Sequence, residues 1–118
     1  MAKYTLLIYS DTKRWQDVGE DEMNAIMGEY FAYTQALRDA GVHRVGEALH
    51  PADTARTVAA NGVVTDGPFA EVAEHLSGFY VVDVDTEEQA LEWARKLPGV
   101  PRGLDRTEVR QVMEFPDA

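Results

Sequence analysis

The sequence predicts an α+β plait, an antiparallel sheet with its helices gathered on one side. Three features predict it. Lys3 to Ser10 and Phe79 to Val84 alternate with period 2, each is followed later in the chain by a stretch of helical period with marked ends, and an Asn-Gly turn joins two short runs between them.

Lys3 to Ser10 reads as a strand with Tyr4, Leu6 and Ile8 on one face and Thr5, Leu7 and Tyr9 on the other, so both faces are substantially apolar. Asp11 to Gly19 is a polar connection. From Glu20 the period turns helical, with Met23, Ile26, Met27, Tyr30, Thr34 and Leu37 as the apolar stripe. Acidic Glu20, Asp21 and Glu22 suit the positive end of the helix dipole, Arg38 the negative end, and Gly41 a stop. His43 to His50 reads as a strand ended by Pro51. Arg56 to Ala60 and Val63 to Thr65 flank Asn61-Gly62, the pair best suited to the two positive φ angles of a type I′ hairpin turn. Ala70 to Leu76 follows as a short helix or ordered loop that Ser77-Gly78 ends. Phe79 to Val84 is the strongest strand. Thr86-Glu87-Glu88-Gln89 fits a capping box, Ala90, Trp93, Ala94 and Leu97 form a buried stripe, and Pro98-Gly99 stops the helix. A last strand alternates from Thr107 to Phe115.

The order is therefore βαββαβ with an inserted β-hairpin, a ferredoxin-like plait in one domain spanning residues 1 to 118. Helices cover one face of such a sheet, yet two strands are apolar on both. The uncovered face needs a partner, and a second copy packing face to face in a β-barrel supplies it, so a homodimer is expected.

Composition narrows the function. The 118 residues carry 11 Lys and Arg against 21 Asp and Glu, a net charge of −10, which disfavours nucleic acid and anionic membranes as partners. No cysteine is present, which removes disulfides, thiolate metal sites and cysteine nucleophiles. His43, His50 and His75 match no metal-ligand spacing, and neither a Gly-rich phosphate loop nor a Gly-x-Ser-x-Gly elbow occurs, so no cofactor or metal is expected. No signal peptide or membrane-spanning run is visible, and a cytoplasmic location is expected.

Candidate chemistry is sparse. His50 stands at a strand end before Pro51, where it could face a crevice or be an exposed turn residue; His43 and His75 read as exposed. Asp66 before Gly67-Pro68 could accept amide hydrogen bonds of the following turn, or orient His50 or serve as a base if the two meet. Tyr30 is a further proton-transfer candidate. Tyr9, Phe69 and Asp83 are candidates for lining a pocket between sheet and helices that would suit a small apolar or aromatic ligand.

Thr65-Asp66-Gly67-Pro68-Phe69-Ala70-Glu71, followed by Gly78-Phe79-Tyr80-Val81-Val82-Asp83-Val84, resembles the DGPF-type, YCII-related proteins. The N-terminal Tyr4 to Tyr9, the stretch Gly46 to Pro51, Ala90 to Ala94 and Glu108-Val109-Arg110 extend the likeness over nearly the whole chain. The resemblance implies a ferredoxin-like fold in a dimeric α/β barrel. It also implies a regulatory role tied to an extracytoplasmic-function sigma factor, and, for YCII relatives, a catalytic His-Asp pair with its histidine on the first helix. Here that helix offers Tyr30 and Tyr33 and no histidine, so only Asp66 carries over. The lysine that often follows the motif is also missing from Glu71-Val72-Ala73-Glu74. A homodimeric ligand-binding or regulatory protein is the leading expectation. The rival is a small-molecule enzyme using Asp66 with His50 or Tyr30.

Overall fold

The computed structural model describes residues 1–69 and 73–116. The long strand β1 (Ala2–Asp11) leads into a short helix α1 (Thr12–Gln16), then the long helix α2 (Glu20–Asp39) and strand β2 (His43–Ala48). A hairpin of β3 (Arg56–Val58) and β4 (Val64–Asp66) precedes β5 (Glu74–Val84), helix α3 (Glu87–Arg95) and β6 (Asp105–Gln111). The main sheet has the order β2-β5-β1-β6 and is antiparallel throughout, with the hairpin as a separate two-stranded sheet. The two β-α-β halves thus interleave as a ferredoxin-like plait with an inserted hairpin.

Alternation along the strands decides which side is covered. Tyr4, Leu6 and Ile8 of β1 and Val82 and Val84 of β5 pack into one core with Tyr33 and Leu37 of α2, Ala90 and Ala94 of α3, and Leu97. The opposite residues of the same strands, Leu7 and Tyr9, Phe79 and Val81, remain outside that core and only partly buried. A thinnest dimension of 18 Å fits one layer of helices on one sheet. Among the described residues no helix is long and apolar enough to cross a membrane.

The α3 capping box forms as the sequence predicts. Gln89 N donates to Thr86 Oγ1 and Thr86 N donates to Gln89 Oε1, both at 3.2 Å, so the first turn's free amides find partners. In the hairpin Asn61 and Gly62 both take positive φ, 66° and 76°. Ala59 N donates to Val63 O at 2.8 Å, however, so the loop holds Ala60, Asn61 and Gly62, one residue more than a two-residue type I′ turn.

Other elements differ from expectation for identifiable reasons. The polar connection after β1 contains α1, because Asp11 caps it by accepting from Arg14 N at 3.2 Å. On α2 the buried positions are Ile26, Tyr33 and Leu37, with Tyr30 half-buried, whereas Met27 is exposed. Tyr33 takes the inner place because it packs edge-on against Tyr80 and Trp93 and donates to Trp93 O at 2.8 Å. Of the segment Ala70 to Leu76, residues 70–72 lie outside the described residues, while Glu74 to Leu76 already belong to β5. Ser77-Gly78, expected as a break, lies inside that strand. A Cβ at Gly78 would come within 2.8 Å of Glu47 O, so the glycine serves the close approach of β2 rather than a turn. The last strand starts two residues early and stops at Gln111. Its partner β1 is nearly used up there, with Gln111 opposite Tyr4 and Val112 N donating to Lys3 O. His43 to His50 likewise shortens to His43–Ala48, which frees Leu49 and His50 to leave the sheet.

Candidate functional site

The bulge in β5 is the first device that builds a site. Ile8 pairs with Gly78 and Tyr9 with Leu76, so Ser77 is the extra residue, and the irregularity turns its hydroxyl toward the helix side. Ser77 Oγ lies 2.7 Å from Ser10 Oγ and donates to Ile8 O at 3.2 Å. Across the sheet Ser10 pairs with Asp105, the first residue of β6, and Ser10 Oγ donates to Asp105 Oδ1 at 2.7 Å.

Asp105 is the centre of the arrangement. It is only 5% exposed, and two more donors reach it from other elements. Trp15 Nε1 of α1 donates to Oδ1 at 2.8 Å, and Tyr30 OH of α2 donates to Oδ2 at 3.1 Å. The carboxylate rests against the backbone of Gly99, where an added Cβ would collide with it. Gly99 O also accepts from the amides of Leu104 and Asp105, which closes the loop that carries the aspartate. Arg102, in that loop, ties it to α2 through Glu22 at 2.8 Å and Glu29 at 2.7 Å. Each of these exposed pairs contributes little alone, but both brace the helix bearing Tyr30 against the loop bearing Asp105.

Electrostatics define the role of Tyr30. Burial raises the phenol well above its usual range, and the adjacent Asp105 carboxylate raises it further by charge and hydrogen bond, with the Gly99 backbone pulling weakly the other way. The phenol stays protonated at neutral pH and acts as a donor, not as a base. Tyr33 is raised too, by burial first and then by Tyr80 and Tyr30.

These groups form the floor at one end of a cleft of about 1050 Å³, at the end of the sheet where β1 leaves and β5 and β6 begin. His50 and His75 line it, as do Thr12, Gln16 and Asp53, while Leu49, Pro51, Ala52, Pro68 and Leu76 supply apolar surface. His75 Nδ1 lies 3.4 Å from Thr12 Oγ1. Among the described residues, no three His, Asp or Glu converge as a metal-ligand set.

The sequence candidates divide between two regions. Tyr30 and His50 line the cleft. Asp66 does not line it; its side chain is 89% exposed and pairs with Arg56 at 3.2 Å in the hairpin. Phe69 is 92% exposed. Tyr9 and Asp83 lie on the sheet face away from the helices, where Asp83 pairs with Arg44 at 3.2 Å. His75, expected to be exposed, is half-buried at the cleft. Asp105 and Ser10 do not stand out in the sequence, Ser77 reads there only as the end of the preceding segment, and Trp15 reads as one more core aromatic. One signal was available: a tryptophan in an otherwise polar connection needs a cover for its ring and an acceptor for its N–H.

A model of the YCII-related domain matches residues 2–116 of this chain. The chain belongs to the YCII-related family. The protein R00369 of Rhizobium meliloti (strain 1021), itself described as uncharacterized, is 32% identical over 112 residues, which cover 92% of this chain and 90% of the relative. Family and relative share the whole span of the fold, but they bring no activity with them, and the chemistry of this YCII-related chain rests on its own residues.

Two outcomes follow from the seating of Asp105 and Tyr30. Gly99→Ala forces the carboxylate out of its seat and lowers stability by about 1–3 kcal/mol, read as a lower urea midpoint with altered Trp15 fluorescence; an unchanged midpoint contradicts the close packing. For the phenols, the folded state holds the proton more tightly than the unfolded chain, whose tyrosines titrate near the ordinary 10.0. Their contribution is complete below that pH and is lost as pH rises through the raised folded values. An alkaline titration therefore shows Tyr30 and Tyr33 ionising well above the ordinary tyrosine range, while unfolding free energy declines from about pH 10 upward. Ionisation of both within the ordinary range contradicts it.

Proposed function

We propose that this YCII-related protein is a cytoplasmic, ligand-binding homodimer whose cleft at the Asp105 end of the sheet takes a small organic molecule, with a regulatory rather than a metabolic task. One observation carries the ligand reading: a buried carboxylate held by three donors forms the floor of a roomy cleft whose other wall is largely apolar. A few fixed polar groups in a concave, mostly apolar surround are the usual make-up of a small-molecule site. The cleft also remains open in the presence of Trp15 and Tyr30, which hydrogen-bond to its floor instead of filling it.

The dimer reading rests on the uncovered sheet face. Leu7, Tyr9, Phe79 and Val81 run across its centre, Val45 of edge strand β2 extends the apolar surface to one side, and the charged Arg106, Glu108 and Arg110 of edge strand β6 lie at the other. A second copy packed on this face hides the apolar centre and leaves the charges at the rim. The regulatory task, with an extracytoplasmic-function sigma factor as partner, is supported by the DGPF-type resemblance around Asp66-Gly67-Pro68-Phe69.

A second reading, proton transfer on a small substrate, is favoured by Tyr30 and His50 lining the same cleft. Asp66 does not join them there, so among the described residues the carboxylates available to such chemistry are those of Asp105 and Asp53.

Two measurements test the proposal. Light scattering at micromolar concentration gives twice the 13.1 kDa chain mass, and Leu7→Glu reduces it to the single mass; a wild-type monomer removes the dimer. A thermal-shift screen of metabolites gives stabilising compounds whose effect Leu49→Trp, which obstructs the cleft, abolishes. Stabilisation that survives this substitution places the ligand elsewhere, and turnover lost in Tyr30→Phe with binding retained turns the reading toward an enzyme.

A further inference from the structure

We propose that the ligand of this cleft is an organic cation, a protonated amine or amidine carried on an apolar body, with its N–H groups on Asp105. The inference rests on the small-molecule reading above and names the chemistry that the site selects.

The charge at the floor is incompletely answered. All three donors to Asp105 are neutral: a hydroxyl, an indole and a phenol. Among the described residues no Lys, Arg or His lies within ion-pair distance of its carboxylate. Removing a carboxylate from water without a counter-charge is costly, and neutral hydrogen bonds return only part of what hydration supplied. Acceptor capacity also remains. An ionised carboxylate offers about four lone-pair sites; Oδ1 uses two, for Ser10 and Trp15, and Oδ2 one, for Tyr30. A ligand N–H on Oδ2 would fill the fourth site and bring the missing positive charge.

The rest of the cleft discriminates in the same direction. Among the described residues no Lys or Arg lines it, and a second carboxylate, Asp53, adds negative charge. An anionic ligand would meet both carboxylates in a chain of net charge −10, whereas a cation is attracted by the same field. His50 and His75 are the cationisable groups of the lining, and the hydrogen bond of His75 goes to Thr12 rather than to the floor. Leu49, Pro51, Pro68 and Leu76 provide apolar surface for a body too hydrophobic for water alone to hold. Recognition by charge-assisted hydrogen bond at one end and apolar contact at the other describes an amphiphilic amine.

The test uses three probes of one shape and different charge, benzylamine, benzyl alcohol and benzoate, titrated calorimetrically into the full-length protein at neutral pH. Benzylamine is expected to bind about tenfold or more tightly than benzyl alcohol, the gain of a hydrogen bond to a charged group, with benzoate weakest. Asp105→Asn brings benzylamine down to the level of benzyl alcohol, while Asp66→Asn, at an exposed carboxylate outside the cleft, preserves the amine preference. Should Asp105→Asn fail to fold, the wild-type ranking with the Asp66→Asn control decides alone. Benzyl alcohol or benzoate binding as well as the amine, or a preference that survives Asp105→Asn or vanishes in Asp66→Asn, overturns the assignment of a cation to Asp105. No binding by any of the three, together with an empty metabolite screen, overturns both readings.

Discussion

A carboxylate that leaves water must be met by donors, and Asp105 obtains them from three separate elements. Ser10 comes from the end of β1, Trp15 from the short helix that follows, and Tyr30 from the middle of α2. None is close to Asp105 in sequence; the nearest, Tyr30, is 75 residues away. The interaction therefore exists only when both β-α-β halves have come together, and it joins them at the end of the sheet where the cleft opens. Gly99 is part of the same requirement, because any side chain there would occupy the carboxylate's place. The loop from Leu97 to Leu104 is built to deliver one aspartate.

The same end of the sheet is irregular for a related reason. A regular β5 would direct alternate side chains strictly to opposite faces. The extra residue at Ser77 breaks that rule and adds a hydroxyl next to Ser10, extending the polar floor by one group. Leu49, His50 and Pro51 leave β2 at the level of this bulge, with Leu49 N still donating to Ser77 O at 2.8 Å. Bulge, strand exit and helix α1 together leave a gap between sheet and helices that the apolar core fills elsewhere. Further along the sheet Tyr33, Tyr80 and Trp93 close that gap with edge-on aromatic contacts.

Most of the fold was legible because it is written in local chemistry. The period of β1, the acidic start of α2 and the capping box of α3 each depend on residues within a turn or two of one another, and the structure keeps all three. The misplacements fall where a distant partner decides. Met27 and Tyr33 are both plausible core residues by spacing, and the aromatic surfaces of Tyr80 and Trp93 select Tyr33. Gly78 reads as punctuation until β2 is seen passing close beside it. The site was far less legible: of the residues lining the cleft, Tyr30 drew notice for its chemistry and His50 for its position at a strand end, whereas Asp105 looked like one more acid in a chain with 21.

The sequence by itself determined the plait, because alternation and caps act over short range and a sheet apolar on both sides announces that one side lacks a cover. It also determined the excess of negative charge and the absence of thiol chemistry. Only the tertiary structure decided which acid matters. Burial and convergence are properties of three-dimensional position, and no pattern of neighbours in the chain distinguishes the enclosed carboxylate of Asp105 from the solvated one of Asp66 before β1, α1, α2 and β6 are brought to a common point.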